Sequence, residues 1–282
     1  MIHESIARVR HVERLPADMV LLVLDAPGIA AEARPGQFVM VRCGDLTLRR
    51  PLSVHVAQDN MLALVFRIMG SGTEWLAAVA VGDRLQVTGP LGNGYALPRP
   101  GCQALLIAGG MGIVPLHFLV MRMPQWCEVT LVHGAKSAAE LYHIPDSLRA
   151  LFPDVAGLDN VRLIMATDDG SSGERGSALD VALPLLEQAE QVYLCGPMAM
   201  CLAASSYTVT QDYITEEVSL SVCSSLARDR LAEAQVSLEV RMGCGVGACY
   251  SCSITTRSGR KKVCTDGPVF RFGDVFWNEV RT

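Results

Sequence analysis

The sequence predicts an α+β multidomain protein in three parts: a six-stranded antiparallel β-barrel, a doubly wound parallel α/β sheet, and a small domain around a 2Fe-2S cluster. Three observations predict it. Six short β-prone runs separated by turn residues fill positions 1–98 without a long helix, which is the pattern of a small barrel. Strands then alternate with helices over 99–235, as a parallel sheet with crossovers requires. Last, four cysteines in 236–282, Cys244, Cys249, Cys252 and Cys264, fall in the pattern Cys-x4-Cys-x2-Cys-x11-Cys, the plant-type 2Fe-2S spacing.

Composition bounds the function. A chain of 282 residues exceeds the usual extent of one core, and with 50% hydrophobic and 19% charged residues it has the material for several. A net charge of −5 and the absence of a Lys/Arg stripe give no footprint for nucleic acid. The most apolar window, Ala104 to Val120, is interrupted by Gly109, Gly110, Gly112 and Pro115 and makes no membrane span. Residues Met1 to Arg8 lack the apolar core of a signal peptide, so a cytoplasmic location is expected. A reducing compartment also suits cluster thiolates and leaves the other cysteines unpaired.

The barrel strands are expected at Ser5–Arg14, Val20–Asp25, Phe38–Arg42, Leu52–Val56, Leu62–Phe66 and Arg84–Thr88, with turns at Pro35-Gly36 and Gly82-Asp83. Two stretches carry chemistry as well as architecture. In Arg49-Arg50-Pro51-Leu52-Ser53 a guanidinium suited to bidentate phosphate binding precedes a rigid proline and a strand with a hydroxyl; the competing reading is an exposed strand edge. In Phe66-Arg67-Ile68-Met69-Gly70-Ser71-Gly72-Thr73, glycines lead into an apolar helical turn whose free amides can receive phosphate; the competing reading is a helix capped by Thr73. An anion site needs both a charged clamp and a backbone nest, so the two stretches reinforce each other.

In the middle part, strands are expected at Ala104–Ala108, Glu128–His133, Val161–Ala166 and Gln191–Cys195, and helices at Val114–Arg122, Ser147–Phe152, Ser177–Gln188 and Met198–Ser205. Ligands of such sheets bind beyond the carboxyl ends of the strands. There the chain places Gly109-Gly110-Met111-Gly112, with room for a pyrophosphate against the backbone or for tight packing. It also places the loop 167–176, a partner for ribose or a solvated surface, and Cys195-Gly196-Pro197, whose cysteine reads otherwise as a small buried apolar residue. No histidine falls in a triad or metal pattern; His55, near the strand of Ser53, is the only one whose place is suggestive.

At the cluster loop, Gly245, Gly247 and Ala248 leave the backbone free to wrap a cluster with amides aimed at sulfur. Structural zinc is the competing reading, but zinc sites usually pair their thiols in two short knuckles. A disulfide scaffold does not fit ten cysteines in a chain of this length.

Arg50-Pro51-Leu52-Ser53, then Gly70-x-Gly72-Thr73, then Gly89-Pro90-Leu91-Gly92-Asn93-Gly94 resemble the FAD-binding barrel of the ferredoxin-reductase superfamily. More narrowly they resemble the electron-transfer subunit of NAD-dependent dihydroorotate dehydrogenase, as do the lead-in Val236 to Cys244 and the exit Cys264 to Phe270. The resemblance implies FAD on the barrel, held by Arg50, Pro51, Leu52, Ser53, Arg67, Gly72 and Thr73. It implies NAD(H) on the sheet at Gly109, Gly110, Gly112, Cys195, Gly196 and Pro197, and a 2Fe-2S cluster on the four cysteines. Nicotinamide then meets flavin between Ser53 and Cys195, where positioning is the protein's task and no residue stands out as a proton donor or nucleophile. It further implies an FMN-containing catalytic partner in a hetero-oligomer oxidising dihydroorotate to orotate for pyrimidine biosynthesis. The alternatives are the same relay in an NAD(P)H:ferredoxin oxidoreductase, sulfide dehydrogenase or hydrogenase, and a nucleotide-sensing module with a structural metal. One departure is the extra length over 207–235, expected to combine a β-prone run at Tyr207–Glu217 with an amphipathic helix at Ser221–Ala234 and to serve as a partner contact.

Overall fold

A computed structural model describes residues 2–124, 126–153, 161–208 and 224–280. The barrel is closed. Strands β1 (His3–Leu15), β2 (Met19–Asp25), β3 (Phe38–Val41), β4 (Arg50–Gln58), β5 (Met61–Arg67) and β6 (Arg84–Leu91) run in the order β1-β2-β5-β4-β3-β6, and β6 pairs back onto β1. All six pairings are antiparallel, and closure removes the open edges a small sheet would otherwise expose. Two short helices, α1 (Pro27–Glu32) and α2 (Ser71–Ala77), pack on the barrel core through Ile29, Ala30, Leu76 and Ala77. The interior is filled by alternate strand residues such as Leu22, Leu24, Val39, Val54 and Leu64, together with Phe118 from outside the barrel.

The second sheet has seven strands in the order β10-β9-β8-β7-β11-β12-β15. Its members β7 (Gln103–Gly109), β8 (Glu128–Ala135), β9 (Val161–Thr167), β10 (Glu174–Arg175), β11 (Gln191–Cys195) and β12 (Gln235–Ser237) are mutually parallel. Helices α3 (Ile113–Arg122) and α4 (Asp146–Leu151) pack on the face turned to the barrel. On the opposite face lie α5 (Ala178–Ala182), α6 (Met198–Thr208) and α7 (Ser225–Ala232). The chain runs outward from β7 through β8 and β9, then returns to β11 on the other flank of β7. That reversal is the switch point at which such sheets open a crevice for ligands.

One expected helix is shorter than its apolar pattern. Ser177–Gln188 becomes α5 followed by a tighter turn at Leu183–Leu185, because Pro184 has no amide to continue the α-helical ladder. Of the expected helix at Ser221–Ala234, α7 covers Ser225–Ala232 and residues 221–223 lie outside the described residues; of the β-prone run, Tyr207 and Thr208 instead end α6, and 209–217 lie outside the described residues.

The cluster region does not stand apart. Its first residues continue from β12, and β15 (Val269–Arg271) returns to pair antiparallel with β12. Between them, β13 (Ser253–Thr256) and β14 (Gly259–Lys262) form a hairpin. One apolar core joins Leu105, Ile107 and Leu194 of the sheet, Cys252, Cys264 and Phe272 of the cluster region, and Phe38, Met40 and Leu91 of the barrel. Among the described residues no helix is long and apolar enough to cross a membrane.

Candidate functional site

A cleft of about 1070 Å³ opens between the barrel and the carboxyl ends of the parallel strands. From the barrel it is walled by Pro51, Leu52, Ser53, Arg67 and Thr73, and from the sheet by Gly109, Gly110 and Pro197. Eight of the residues expected to bind cofactors therefore face one cavity. Arg50, Gly72, Gly112, Cys195 and Gly196 stand behind its surface, and packing explains why each is where it is.

Arg50 and Gly72 touch. A methyl on Gly72 would overlap the Arg50 guanidinium, so the charged clamp lies directly on the start of α2. The N-cap of that helix is Gly70, not Thr73. The Thr73 hydroxyl instead accepts the amides of Met69 and Gly70, at 2.8 and 3.2 Å, and donates to the Gly70 carbonyl at 2.9 Å. The first amides of the helix, which no intrahelical carbonyl can reach, remain beside the guanidinium. Clamp and nest thus lie together on the barrel wall, with Arg50 Nη1 donating to the Leu48 carbonyl at 2.6 Å. Arg67 is engaged across the cleft by Glu140 at 3.0 Å.

On the sheet side two turns interlock. β11 pairs with β7 so that Cys195 lies beside Ala108, bringing the Cys195-Gly196-Pro197 turn against the glycine turn. A methyl on Gly112 would overlap the Cys195 carbonyl, and one on Gly196 would overlap Met200. Here glycine permits backbone to approach backbone. Cys195 is buried, and burial holds its thiol well above the usual range, with the Ser237 and Tyr95 hydroxyls as hydrogen-bonding neighbours. A thiol kept protonated supplies shape and polarity, not a nucleophile.

Several residues at the cleft carry no local signal in the sequence. Buried His133, on β8, holds the Gly110 carbonyl at 3.3 Å through Nε2, and desolvation lowers its pKa to about 4. Glu239 is exposed to the cleft, and partial desolvation by its walls raises the carboxyl pKa. Lys136 borders the sheet side of the cleft, and so does Asp168, from the loop 167–176 that the sequence singles out. The remainder of loop 167–176 is tied mainly to itself, with buried Thr167 bonded to the Ser172 backbone and Asp169 to Ser171. His133 and Lys136 could have been sought at the β8 strand end, whereas Glu239, just after β12, is generic in type and carries no local signal.

The cluster loop is built as a sulfur nest. The amides of Val246, Ala248 and Cys249 all point at Cys244 Sγ, at 3.4, 3.2 and 3.4 Å. Positive φ at Gly245 (72°) and Gly247 (81°) produces that curl. Cys249 is exposed, and the Ser251 hydroxyl at 3.1 Å, followed by the Ser251 amide and Cys244, lowers its pKa to about 6. Cys252 and Cys264 are buried, and burial pushes the Cys264 thiol up to about 12. Among the described residues no three His, Cys, Asp or Glu side chains gather around a single ion. Cys244 and Cys249 sit in the exposed curl of the loop while Cys252 and Cys264 lie buried beneath it, and four thiols in this spacing suit two irons. The donor set fits a 2Fe-2S cluster better than one zinc ion.

This loop rests on the barrel. A methyl on Gly245 would stand 2.5 Å from Met40 Cγ and 3.3 Å from Leu91. Asn93, from the Gly89–Gly94 stretch, donates to the carbonyls of Thr265 and Asp266 at 3.2 and 3.1 Å and holds the exit of Cys264. Met40 lies on β3, the strand that pairs with Pro51-Leu52-Ser53. Arg241 and Met242, just before Cys244, line the cleft.

Barrel, crevice and sulfur nest together define a pyridine-nucleotide oxidoreductase of the ferredoxin-reductase class with an added iron–sulfur domain. Residues 106–206 match the oxidoreductase NAD-binding domain, and residues 239–276 the iron-sulfur cluster binding domain of dihydroorotate dehydrogenase B. The dihydroorotate dehydrogenase B (NAD(+)) electron transfer subunit of Desulforamulus reducens is 36% identical, over 96% of this chain and 97% of its own length. That of Shouchella clausii is 35% identical over 92% of each. A solved structure of an NADH-dependent reduced ferredoxin-NADP oxidoreductase superposes with a TM-score of 0.77 at 26% identity, covering 98% of this chain and 91% of the other. The chain belongs to the family of dihydroorotate dehydrogenase B (NAD(+)) electron transfer subunits.

Proposed function

We propose that the chain carries electrons between NAD(H) and a catalytic partner that holds FMN and oxidises dihydroorotate to orotate, a step of pyrimidine biosynthesis. The observation that carries this reading is the seating of the cluster loop on the strands that wall the cleft: one fold brings a nucleotide crevice, a flavin wall and a sulfur nest into contact. When bound, FAD exchanges a hydride with nicotinamide and single electrons with the cluster, which converts between the two currencies.

The chain's own residues position these groups. Arg50 and the first amides of α2 clamp the FAD pyrophosphate, while Ser53 presents a hydroxyl to the flavin edge. Gly109 and Gly110 admit the NAD pyrophosphate to the backbone, with His133 fixing the turn. Gly112 and Gly196 let the Cys195 and Pro197 turn close the nicotinamide end. The amides around Cys244 stabilise thiolate charge at the exposed end of the relay.

The deciding experiment mixes the FAD- and cluster-loaded chain with the FMN subunit and follows NAD+ reduction by dihydroorotate. Activity is expected. No reduction with all cofactors present sinks the partner assignment. The extended match to the ferredoxin-NADP oxidoreductase favours one second reading, in which a ferredoxin takes the partner's place. Replacing dihydroorotate and the FMN subunit with reduced ferredoxin tests it directly.

A further inference from the structure

His55 has no part in the sites described so far, although it lies on β4 two residues beyond Ser53 and is fully buried. It sits in the seam between β4 and α3, the helix launched by the Gly109–Gly112 turn. Three contacts pin that seam. At its start, His55 Nδ1 is 3.1 Å from the Val114 carbonyl. In the middle, Phe118 inserts into the barrel core. At its end, Arg122 donates to the Ala57 carbonyl at 2.8 Å, its guanidinium 5.4 Å from the centre of the Phe118 ring.

The chemistry at His55 has one direction. A carbonyl oxygen only accepts, so Nδ1 carries the proton and Nε2 is left as an acceptor. The buried Tyr142 hydroxyl, 2.9 Å from Nε2, therefore donates. The Tyr142 ring meets the imidazole edge-on, with centroids 5.3 Å apart, and His117 of α3 lies against its face at 4.6 Å. One imidazole in one tautomer thus joins the strand of Ser53, the first turn of α3 and the segment after β8.

We propose that His55 is a positioning residue: by locking α3 in register with β4 it sets the distance and tilt between the dinucleotide held at the glycine turn that launches α3 and flavin along Pro51–Ser53. The inference rests on the relay reading above. Apolar packing is non-directional and lets a helix slide by fractions of an ångström, whereas a hydrogen bond fixes both distance and angle. The reacting atoms are sensitive to that difference, since a misplacement of about 1 Å can cost about a hundredfold in rate.

The test is anaerobic stopped-flow reduction of bound FAD by NADH in the full-length, cofactor-loaded protein, comparing wild type with His55→Phe, His55→Asn and Tyr142→Phe. Asparagine places an amide near Nδ1 and keeps the donor to Val114, while phenylalanine keeps only bulk. His55→Phe is expected to lower the limiting rate about tenfold with half-saturation by NADH nearly unchanged, and to weaken the long-wavelength charge-transfer absorption of NAD+ against reduced flavin. His55→Asn should recover most of both. Tyr142→Phe, which removes a single oxygen, should lower both by a smaller factor, and it decides the matter if His55→Phe does not fold. Unchanged rate and absorption in the variants overturn the proposal, as does an asparagine variant no better than phenylalanine. A loaded wild type whose flavin NADH does not reduce would instead defeat the relay reading itself. Nitrogen NMR gives a readout without turnover: the His55 ring should be the neutral Nδ1–H tautomer, and an Nε2–H form overturns the network.

Discussion

A methyl group at Gly112 has no place to go, because the Cys195 carbonyl and the Gly196 amide already occupy its position. Backbone cannot rotate away as a long side chain can, so Gly112→Ala should cost about 1–3 kcal/mol, read as a lower midpoint in denaturant, and should weaken NADH binding by prising the two turns apart. At Arg50 the expected effect is on a cofactor. Arg50→Ala removes the guanidinium that lies on the start of α2 and should weaken FAD retention about tenfold or more, measured as flavin content after gel filtration; unchanged content moves the pyrophosphate site elsewhere. Cys249→Ser should abolish the broad sulfide-to-iron absorption while NADH still reduces a dye through the flavin. Loss of flavin together with the cluster would show the two sites to be inseparable. These residues stand out in the sequence because their signals are local: a cysteine spacing, an Arg-Pro pair, glycines between a strand and a helix. Glu239 and His133 do not, since each acquires its role from a neighbour brought by the fold, and an isolated Glu or His near a strand end has no pattern to betray it.

At the scale of elements, the strands were the readable part. Runs such as Leu62–Phe66 and Ala104–Ala108 are apolar and bounded by turns, and they appear as β5 and β7 with only their ends extended. The coupling between elements was hidden. The Gly89–Gly94 stretch carries a family resemblance, but its work is long-range: Gly92 packs on the Gly267 carbonyl and Asn93 holds the two carbonyls after Cys264. Asn93→Ala removes both side-chain bonds at a partly solvated position, so the loss of stability should be about 1 kcal/mol. The larger effect is expected at the fourth cluster ligand. Cluster absorption should decay faster in chelator than in wild type, while flavin content stays the same. Equal decay rates would mean that the exit loop is held by its backbone pairing alone.

At the scale of the whole molecule, the seam between barrel and nucleotide sheet at His55 and the glycine turn at His133 are held by imidazoles that are neutral when folded, and this makes the assembly acid-sensitive. Burial lowers the pKa of both His55 and His133 to about 4, below the usual 6.5. Between those two values the unfolded chain binds a proton at each histidine and the native state does not, so unfolding free energy falls as pH falls. The contribution is fully present above pH 6.5 and is lost progressively down to about 4. A shift of this size corresponds to about 3 kcal/mol per histidine at most. The carboxylate of Glu13, whose pKa is lowered mainly by hydrogen bonds from Ser147 and His11, adds a loss of the same sign at the acid end of the range. Glu239, whose carboxyl pKa is raised by desolvation, binds its proton more readily in the native state and opposes the histidines above 4.5, so denaturant titrations across this window should show a net slope of about one to two protons. His133→Gln keeps an N–H donor for the Gly110 carbonyl but cannot titrate, so it should flatten that slope by about one proton while sparing NADH binding. A variant that keeps the full wild-type slope would place the acid sensitivity elsewhere, and one that flattens the slope but loses NADH binding would show that the glycine turn depends on imidazole itself rather than on the donor it provides.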